Sequence, residues 1–417
     1  MNLVKTSVYS GISTVVRIFT SFVINKLIAL YIGPGGLAVM GNFQNAVNIL
    51  SGLSTCSINS GVVKYTAEYS DDPIRTKSLF STSTRIIAIS SAIIGIVSIC
   101  ASSSLANRIL HNATYAYLFI LLGLTVFLYS LHTLVLSILN GKKEIRKFTI
   151  INILASLLSL LLTSILIYFK QLEGAILSLV ITQSCFFFLS FYFISRASWF
   201  SISLFKGKMD KEVIRNLFRY SAMGITSAVM GPFSLLLIRN LITRTVSEEG
   251  AGYWEGITRI SSNYLMLVTT TLSIYYLPKL SETRDHREVR TEIANGYKII
   301  MPVLIISSAL IYLCRKQIIQ ILFSHQFQPM ESLFLFQMLG DVIKIGSWLL
   351  AFLMLAKAMA RMFIITEIVF NLTYVLLSFF FVNQYGLIGA TYAYAVNYLL
   401  YFITCYLLIR KRFEFPF

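Results

Sequence analysis

The chain has 417 residues, of which 56% are hydrophobic and only 13% charged. Soluble globular domains carry about 45–50% apolar and about 25% charged residues, so this composition excludes a water-soluble fold and asks for a polytopic membrane protein. The formal charge of +17 fits either a nucleic-acid partner or membrane topology, and the placement of the basic residues decides between them.

Apolar runs fall, in chain order, at roughly 8–32, 36–66, 78–103, 114–139, 148–169 and 174–195, then at 213–243, 249–278, 294–314, 333–356, 362–383 and 386–409. Each is near the ~20 residues that cross a bilayer as a helix, and none alternates in polarity as barrel strands do. The expected fold is all-α, with twelve transmembrane helices, six on either side of the polar stretch at 196–212. The first run is too long for a signal-peptide core and is followed at once by another, so it reads as a retained span.

With a cytoplasmic N-terminus, 23 of the 35 Lys and Arg fall on the cytoplasmic side, while the outer loops hold only Arg108, Lys170, Arg244, Arg315 and Lys316. This bias places both termini in the cytoplasm and accounts for the basic balance without nucleic acid. Seven basic residues remain inside the runs: Arg17, Lys26, Arg85, Arg219, Arg239, Arg259 and Lys344.

The second half echoes the first. "GLAVMGNFQ" from Gly36 lies against "GAGYWEGIT" from Gly250, and "NKLI" from Asn25 against "RNLI" from Arg239. "RKFTII" from Arg146 lies against "ARMFIIT" from Ala360, and "LEGA" from Leu172 against "LIGA" from Leu387. These matches keep their order at an offset of 214 or 215 residues (250 − 36, 387 − 172). Two pseudo-symmetric six-helix lobes, 1–205 and 206–417, are therefore expected to enclose a site between them and to alternate its access.

A charge at the bilayer centre costs about 2.5–3.5 kcal/mol on insertion scales and normally faces a bundle interior or aqueous cavity. Arg17, Lys26, Arg239, Arg259 and Lys344 are the candidate lining of a central cationic cavity, and Arg85 and Arg219 stand at its mouth or anchor the interface. Glu255 and Arg259 are four apart, where helix neighbours meet; Asp341 and Lys344 are three apart on one face. Each couple reads either as a structural ion pair or as cavity groups that meet an anionic ligand, with Asp341 changing protonation. The few in-span acids (Glu255, Asp341, Glu367) leave the cavity positive, which suits an anion, and Arg suits phosphate through its planar donor fork. No P-loop occurs, the four histidines lack ligand spacing and the five cysteines are scattered in apolar runs, so no cofactor, metal or enzymatic chemistry is expected.

"ALYIGPGGLAVMGNFQNAVNIL" near the N-terminus, "GVVKYTAEY" from Gly61, "YYLPKLSE" from Tyr275 and "GDVIKIG…LAKA" from Gly340 resemble the Wzx flippases of the MOP exporter superfamily, which also holds the MATE drug exporters. The resemblance runs over essentially the whole chain. It implies a V-shaped pair of six-helix lobes in the bacterial inner membrane. The implied cargo is an undecaprenyl-diphosphate-linked oligosaccharide, an O-antigen unit or the enterobacterial common antigen lipid III, moved to the periplasmic leaflet on an ion gradient. It also implies a monomer working beside the polymerase and chain-length regulator of its pathway. Two rivals are a MATE-like ion-coupled exporter of small molecules, for which cavity acids should dominate, and a membrane enzyme, for which a large outer loop or a His/Asp cluster is wanted.

Overall fold

The computed structural model describes residues 3–413 other than Arg284 and Ala358, and every regular element among them is helical. In chain order these are α1 (Leu3–Tyr31), α2 (Gly33–Ser54), α3 (Asn59–Glu68), α4 (Pro73–Cys100), α5 (Ser102–Ile109), α6 (Ala116–Gly141), α7 (Ile145–Ser195), α8 (Lys211–Thr245), α9 (Glu248–Thr271), α10 (Leu277–Glu282), α11 (His286–Leu313), α12 (Arg315–Leu322), α13 (Phe334–Ala356), α14 (Ala360–Tyr385) and α15 (Gly389–Phe413). Among the described residues eight helical stretches are long and apolar enough to cross a membrane, or nine if α2 and α3 form one broken span.

The expected run 36–66 is therefore corrected: it bends by 42° between α2 and α3, where Cys56 and Ser57 take φ of 48° and 46°. The run 249–278 likewise ends as a helix at Thr271 and continues through a π-turn at Leu272–Tyr276 into α10. Two eight-residue helices, α5 and α12, occupy stretches expected to be plain loops.

The chain packs as two compact units, Met1–Thr20 with Val39–Phe233, and Ser21–Ala38 with Ser234–Phe417. The division runs through α1, through α2 between Ala38 and Val39, and through α8, one residue beyond Pro232, which interrupts the α8 ladder because it has no N–H to give. In the first unit α4 and α6 cross at Gly95 and Gly123: a Cβ on either would stand 2.6 Å from the other's carbonyl oxygen. Small residues at such a crossing let two backbones meet within the apolar layer, where tight packing is a main source of helix association.

The 196–210 stretch is also part of the first unit rather than a loose tether. Phe205 stacks on Phe80 of α4 at 5.6 Å, and the Trp199 indole donates to Glu144. Asp210 caps α8, its carboxylate accepting from Ser78 Oγ at 2.9 Å and from the amides of Glu212 and Val213. The Ser78 hydroxyl, with those amides, holds the Asp210 carboxyl below the usual carboxylate range.

Overpacking a tight crossing costs about 1–3 kcal/mol. Gly123→Val should therefore lower the thermal unfolding midpoint of the detergent-purified protein. Gly231→Ala, at a position where a Cβ meets nothing within 4 Å, should not. Equal midpoints for the two variants would contradict the crossing.

Candidate functional site: a buried ionic and tyrosine network in the second unit

Helix α9 organises the site. Ser247 Oγ accepts the Gly250 amide at 2.9 Å and starts the helix, and Gly252 lies so close to the Pro34 carbonyl of α2 that a Cβ would run into it. Residues advance about 100° each around an α-helix, so Glu255 and Arg259 share one face while Ser261 and Tyr264 look the opposite way. One face meets α8 and α1; the other meets α13.

On the first face the carboxylate of Glu255 is divided between two guanidinium groups. Its Oε2 accepts from Arg239 Nη2 of α8, and its Oε1 accepts from Arg259 Nε at 2.8 Å. Arg259 Nη1 also donates to Asn25 Oδ1 of α1 at 2.9 Å. Arg239 is 1% exposed and sits over the Trp254 ring at 5.5 Å, whereas the Arg259 side chain keeps 19% of its surface. A buried charge is tolerable only when paired and hydrogen-bonded, and both conditions hold here.

On the second face stands Asp341 of α13, which has no exposed surface. Oδ2 accepts from Ser261 Oγ at 2.6 Å and from Tyr264 OH at 2.8 Å; Oδ1 accepts from Tyr394 OH at 2.7 Å and, at 3.5 Å, from Gln337 Nε2. The approach of α15 that delivers Tyr394 depends on Gly340, where a Cβ would strike the Tyr394 ring. Tyr374 of α14 packs edge-on against Tyr394 at 5.9 Å and lies within electrostatic reach of both Asp341 and Arg239, so the two faces belong to one polar seam.

The structure does not pair Asp341 with Lys344, although they are three residues apart. The Lys344 ammonium instead lies over the rings of Trp348, Tyr398 and Tyr394, at 5.0, 5.2 and 5.6 Å. Three electron-rich faces surround the cation, and no carboxylate lies within ion-pair distance of it. Four neutral donors meanwhile satisfy the carboxylate, and this replaces the ion-pair reading of that couple.

Lys26 lies in the same unit but elsewhere: its Nζ donates to the carbonyls of Gln320, at 2.7 Å, and Phe323, at the C-terminal end of α12. A cation there answers unpaired carbonyls and the negative end of the helix dipole. Arg17, Arg85 and Arg219 belong to the first unit and are exposed. Thus, within the second unit, Arg239, Glu255 and Arg259 gather into one cluster, Asp341 and Lys344 stand in the adjoining network, and Lys26 sits apart at the end of α12. Sequence reasoning missed Asn25, Ser261, Gln337, Tyr394 and Tyr398. Their signal was polar or hydroxyl-bearing residues recurring every three or four positions in apolar helices, as in Gln337/Asp341 and Tyr394/Tyr398. Among the described residues no three His, Cys, Asp or Glu side chains lie close enough to hold a metal ion.

Removing one partner of a buried ionic cluster costs about 3–5 kcal/mol because the remaining charge is stranded. Glu255→Ala strands two guanidinium groups and should give the largest loss of thermal stability in the seam. Lys344→Met, which removes a cation that has no carboxylate within ion-pair distance and strands no opposite charge in direct contact, should cost far less. A melting series on the purified variants that reverses this order would contradict the pairing.

The sequence and the fold are similar to those of known proteins. A family model described as polysaccharide biosynthesis protein matches residues 44–332. The chain is 28% identical over 415 residues to the lipid III flippase of Escherichia coli K12, covering 99% of this chain and 100% of that protein. It is 20% identical over 420 residues to a putative O-antigen transporter of Shigella flexneri, covering 96% of each. Its fold matches the inward-facing form of a multidrug resistance MATE family transporter of the MOP superfamily, with a TM-score of 0.81 over 96% of this chain and 98% of that one, at 16% identity. This all-helical, multi-pass membrane chain belongs to the polysaccharide biosynthesis protein family.

Proposed function

We propose that the protein is a flippase, not an enzyme, that carries an undecaprenyl-diphosphate-linked oligosaccharide from the cytoplasmic to the periplasmic leaflet of the bacterial inner membrane by alternating access. The observation that carries this reading is the partly exposed Arg259 guanidinium, held by Glu255 and Asn25 inside a membrane-spanning bundle. A planar fork fixed by its Nε and one Nη1 hydrogen keeps its remaining donors for phosphate oxygens. The small-molecule exporter reading expects available carboxylates, but Glu255 and Asp341 are both satisfied by protein donors. The likeness to a full-length lipid III flippase points the same way. The polyprenyl tail is left to the lipid phase.

Twelve spans, in lobes 1–205 and 206–417, belong to this proposal. The 51-residue α7 breaks at Gln171 (φ 46°, ψ −121°), and Gly386 separates α14 from α15 at φ 62°, ψ −144°. With α2–α3 taken as one span and α9, whose polar and charged residues lower its mean hydropathy, counted as another, twelve result. The repeat is supported by backbone geometry: Gln171 and Gly386 are 215 residues apart (386 − 171), as are Glu144 (φ −80°, ψ 56°) and Met359 (φ −80°, ψ 57°), which open α7 and α14. In this reading both termini are cytoplasmic, which the bias of the basic loops supports, and the protein acts as a monomer beside the polymerase and chain-length regulator.

Transport is coupled to an ion gradient through Asp341. When it takes a proton, one hydroxyl donor must turn away; Tyr264 has Ser308 Oγ at 3.2 Å to receive it instead. Asp341→Asn should therefore bind cargo but lose its response to the pH gradient in reconstituted vesicles; an unchanged dependence rules the role out. For the cargo itself, depletion of the protein in its host should cause one undecaprenyl-diphosphate glycan to accumulate on the cytoplasmic face, restored by wild type and not by Arg259→Gln. No accumulation on depletion, or full rescue by Arg259→Gln, would overturn the assignment.

A further inference from the structure

Two arginines share one carboxylate in the second unit, but they are not alike, and the difference assigns them different work. Arg239 of α8 is 1% exposed and lies against Trp254 of α9; no ligand reaches it without rebuilding the packing. Arg259 keeps 19% of its side-chain surface. Glu255 gives one oxygen to each, Oε2 to Arg239 and Oε1 to Arg259 Nε. Because Arg259 also spends an Nη1 hydrogen on Asn25, its Nη2 hydrogens and second Nη1 hydrogen have no acceptor among the described residues.

We infer that Arg239 is a restraining counter-ion: by occupying Glu255 Oε2 it prevents Glu255 from closing both oxygens on Arg259, and so keeps the Nη2 edge of Arg259 open to a diphosphate. The inference rests on the proposed role of Arg259 as the phosphate contact. Its physical basis is competition. A carboxylate and a phosphate seek the same two parallel N–H donors of a guanidinium. A single Glu beside a single Arg makes that fork-to-fork pair and neutralises it. With a second Arg pulling on the far oxygen, the cluster holds two cations to one anion, and the surplus positive charge resides on the arginine that ligand can reach. Asn25 completes the restraint by fixing the plane of Arg259 from the opposite side. Arg239 is thus a positioning residue that acts through Glu255 and never touches cargo.

This makes a prediction that a purely structural role does not. Arg239→Met leaves Glu255 and Arg259 as an intact buried pair, so the fold survives, but Glu255 swings fully onto Arg259. Removing both members of the pair, in Arg239→Met/Glu255→Gln, takes away the competitor together with its restraint, and replacing both partners of a buried ion pair is tolerated far better than replacing one. The probe is undecaprenyl diphosphate, which has the phosphates and the tail but no glycan, with undecaprenol as the uncharged control. Binding to detergent-purified protein is measured at two salt concentrations, beside the melting temperature of each variant.

The expected pattern is a loss of tenfold or more for Arg239→Met, recovery to within about threefold of wild type in the double variant, and near-wild-type affinity for Arg239→Lys, which keeps the charge on Glu255. Arg259→Gln should abolish the preference for the diphosphate over undecaprenol in either background. Failure of the double variant to recover while it melts like wild type overturns the restraint and leaves the flippase reading standing, as does unchanged affinity in Arg239→Met. If wild type itself shows no preference for the diphosphate over undecaprenol, the phosphate contact and the restraint fall together.

Discussion

In the hydrocarbon layer there is no water to answer a polar group, so every donor, acceptor and charge placed there must be answered by the protein. This constraint governs the second unit. Glu255 is bearable in α9 because two guanidinium groups reach it, and Asp341 in α13 because three hydroxyls and an amide do. Lys344, lacking a carboxylate within ion-pair distance, finds ring faces. The glycines serve the same end: Gly340 admits Tyr394 to Asp341, and Gly252 seats α9 against the carbonyl of Pro34. Packing and polar satisfaction are one problem here, solved at the same residues.

That solution has a functional consequence. A network built only for stability has no need of a partly exposed guanidinium. This one satisfies both carboxylates and buries Arg239, while Arg259 keeps surface and unspent hydrogens. Net positive charge in a low-dielectric setting is strengthened by its surroundings and draws anions. The network also contains a group able to change state: the Tyr264 hydroxyl, shared between Asp341 and Ser308, has two orientations available. Arg259, the proposed phosphate contact, and the Ser261 and Tyr264 hydroxyls that donate to Asp341 lie on opposite faces of α9, so movement of this helix is felt at both places.

What could be read in the sequence was what depends on near neighbours. The all-helical membrane class follows from run lengths, and the Glu255–Arg259 contact from a spacing of four. What could not be read depends on distant partners or on backbone breaks without a sequence mark. Asp341 and Lys344 stand three apart, yet each finds better company from α15, more than fifty residues away, in Tyr394 and Tyr398. Lys26 and the α12 carbonyls it answers are separated by 294 and 297 residues. The break in the second run falls at Cys56 and Ser57, neither a glycine nor a proline, so hydropathy passes over it. Gly386 shows the opposite: a residue free of the Cβ penalty takes φ 62° at the turn where Gln171 takes 46° in the first half.

The central claim is that this chain moves a diphosphate-linked glycan between leaflets and uses Arg259 to hold the phosphates. The most direct measurement is leaflet exchange in proteoliposomes, with a fluorescent undecaprenyl-diphosphate oligosaccharide loaded on one face and its appearance on the other followed by an impermeant glycosidase. The account predicts protein-dependent exchange for wild type that falls to the protein-free rate in Arg259→Gln. Exchange no faster than in empty liposomes, or equally fast without the guanidinium, would contradict it.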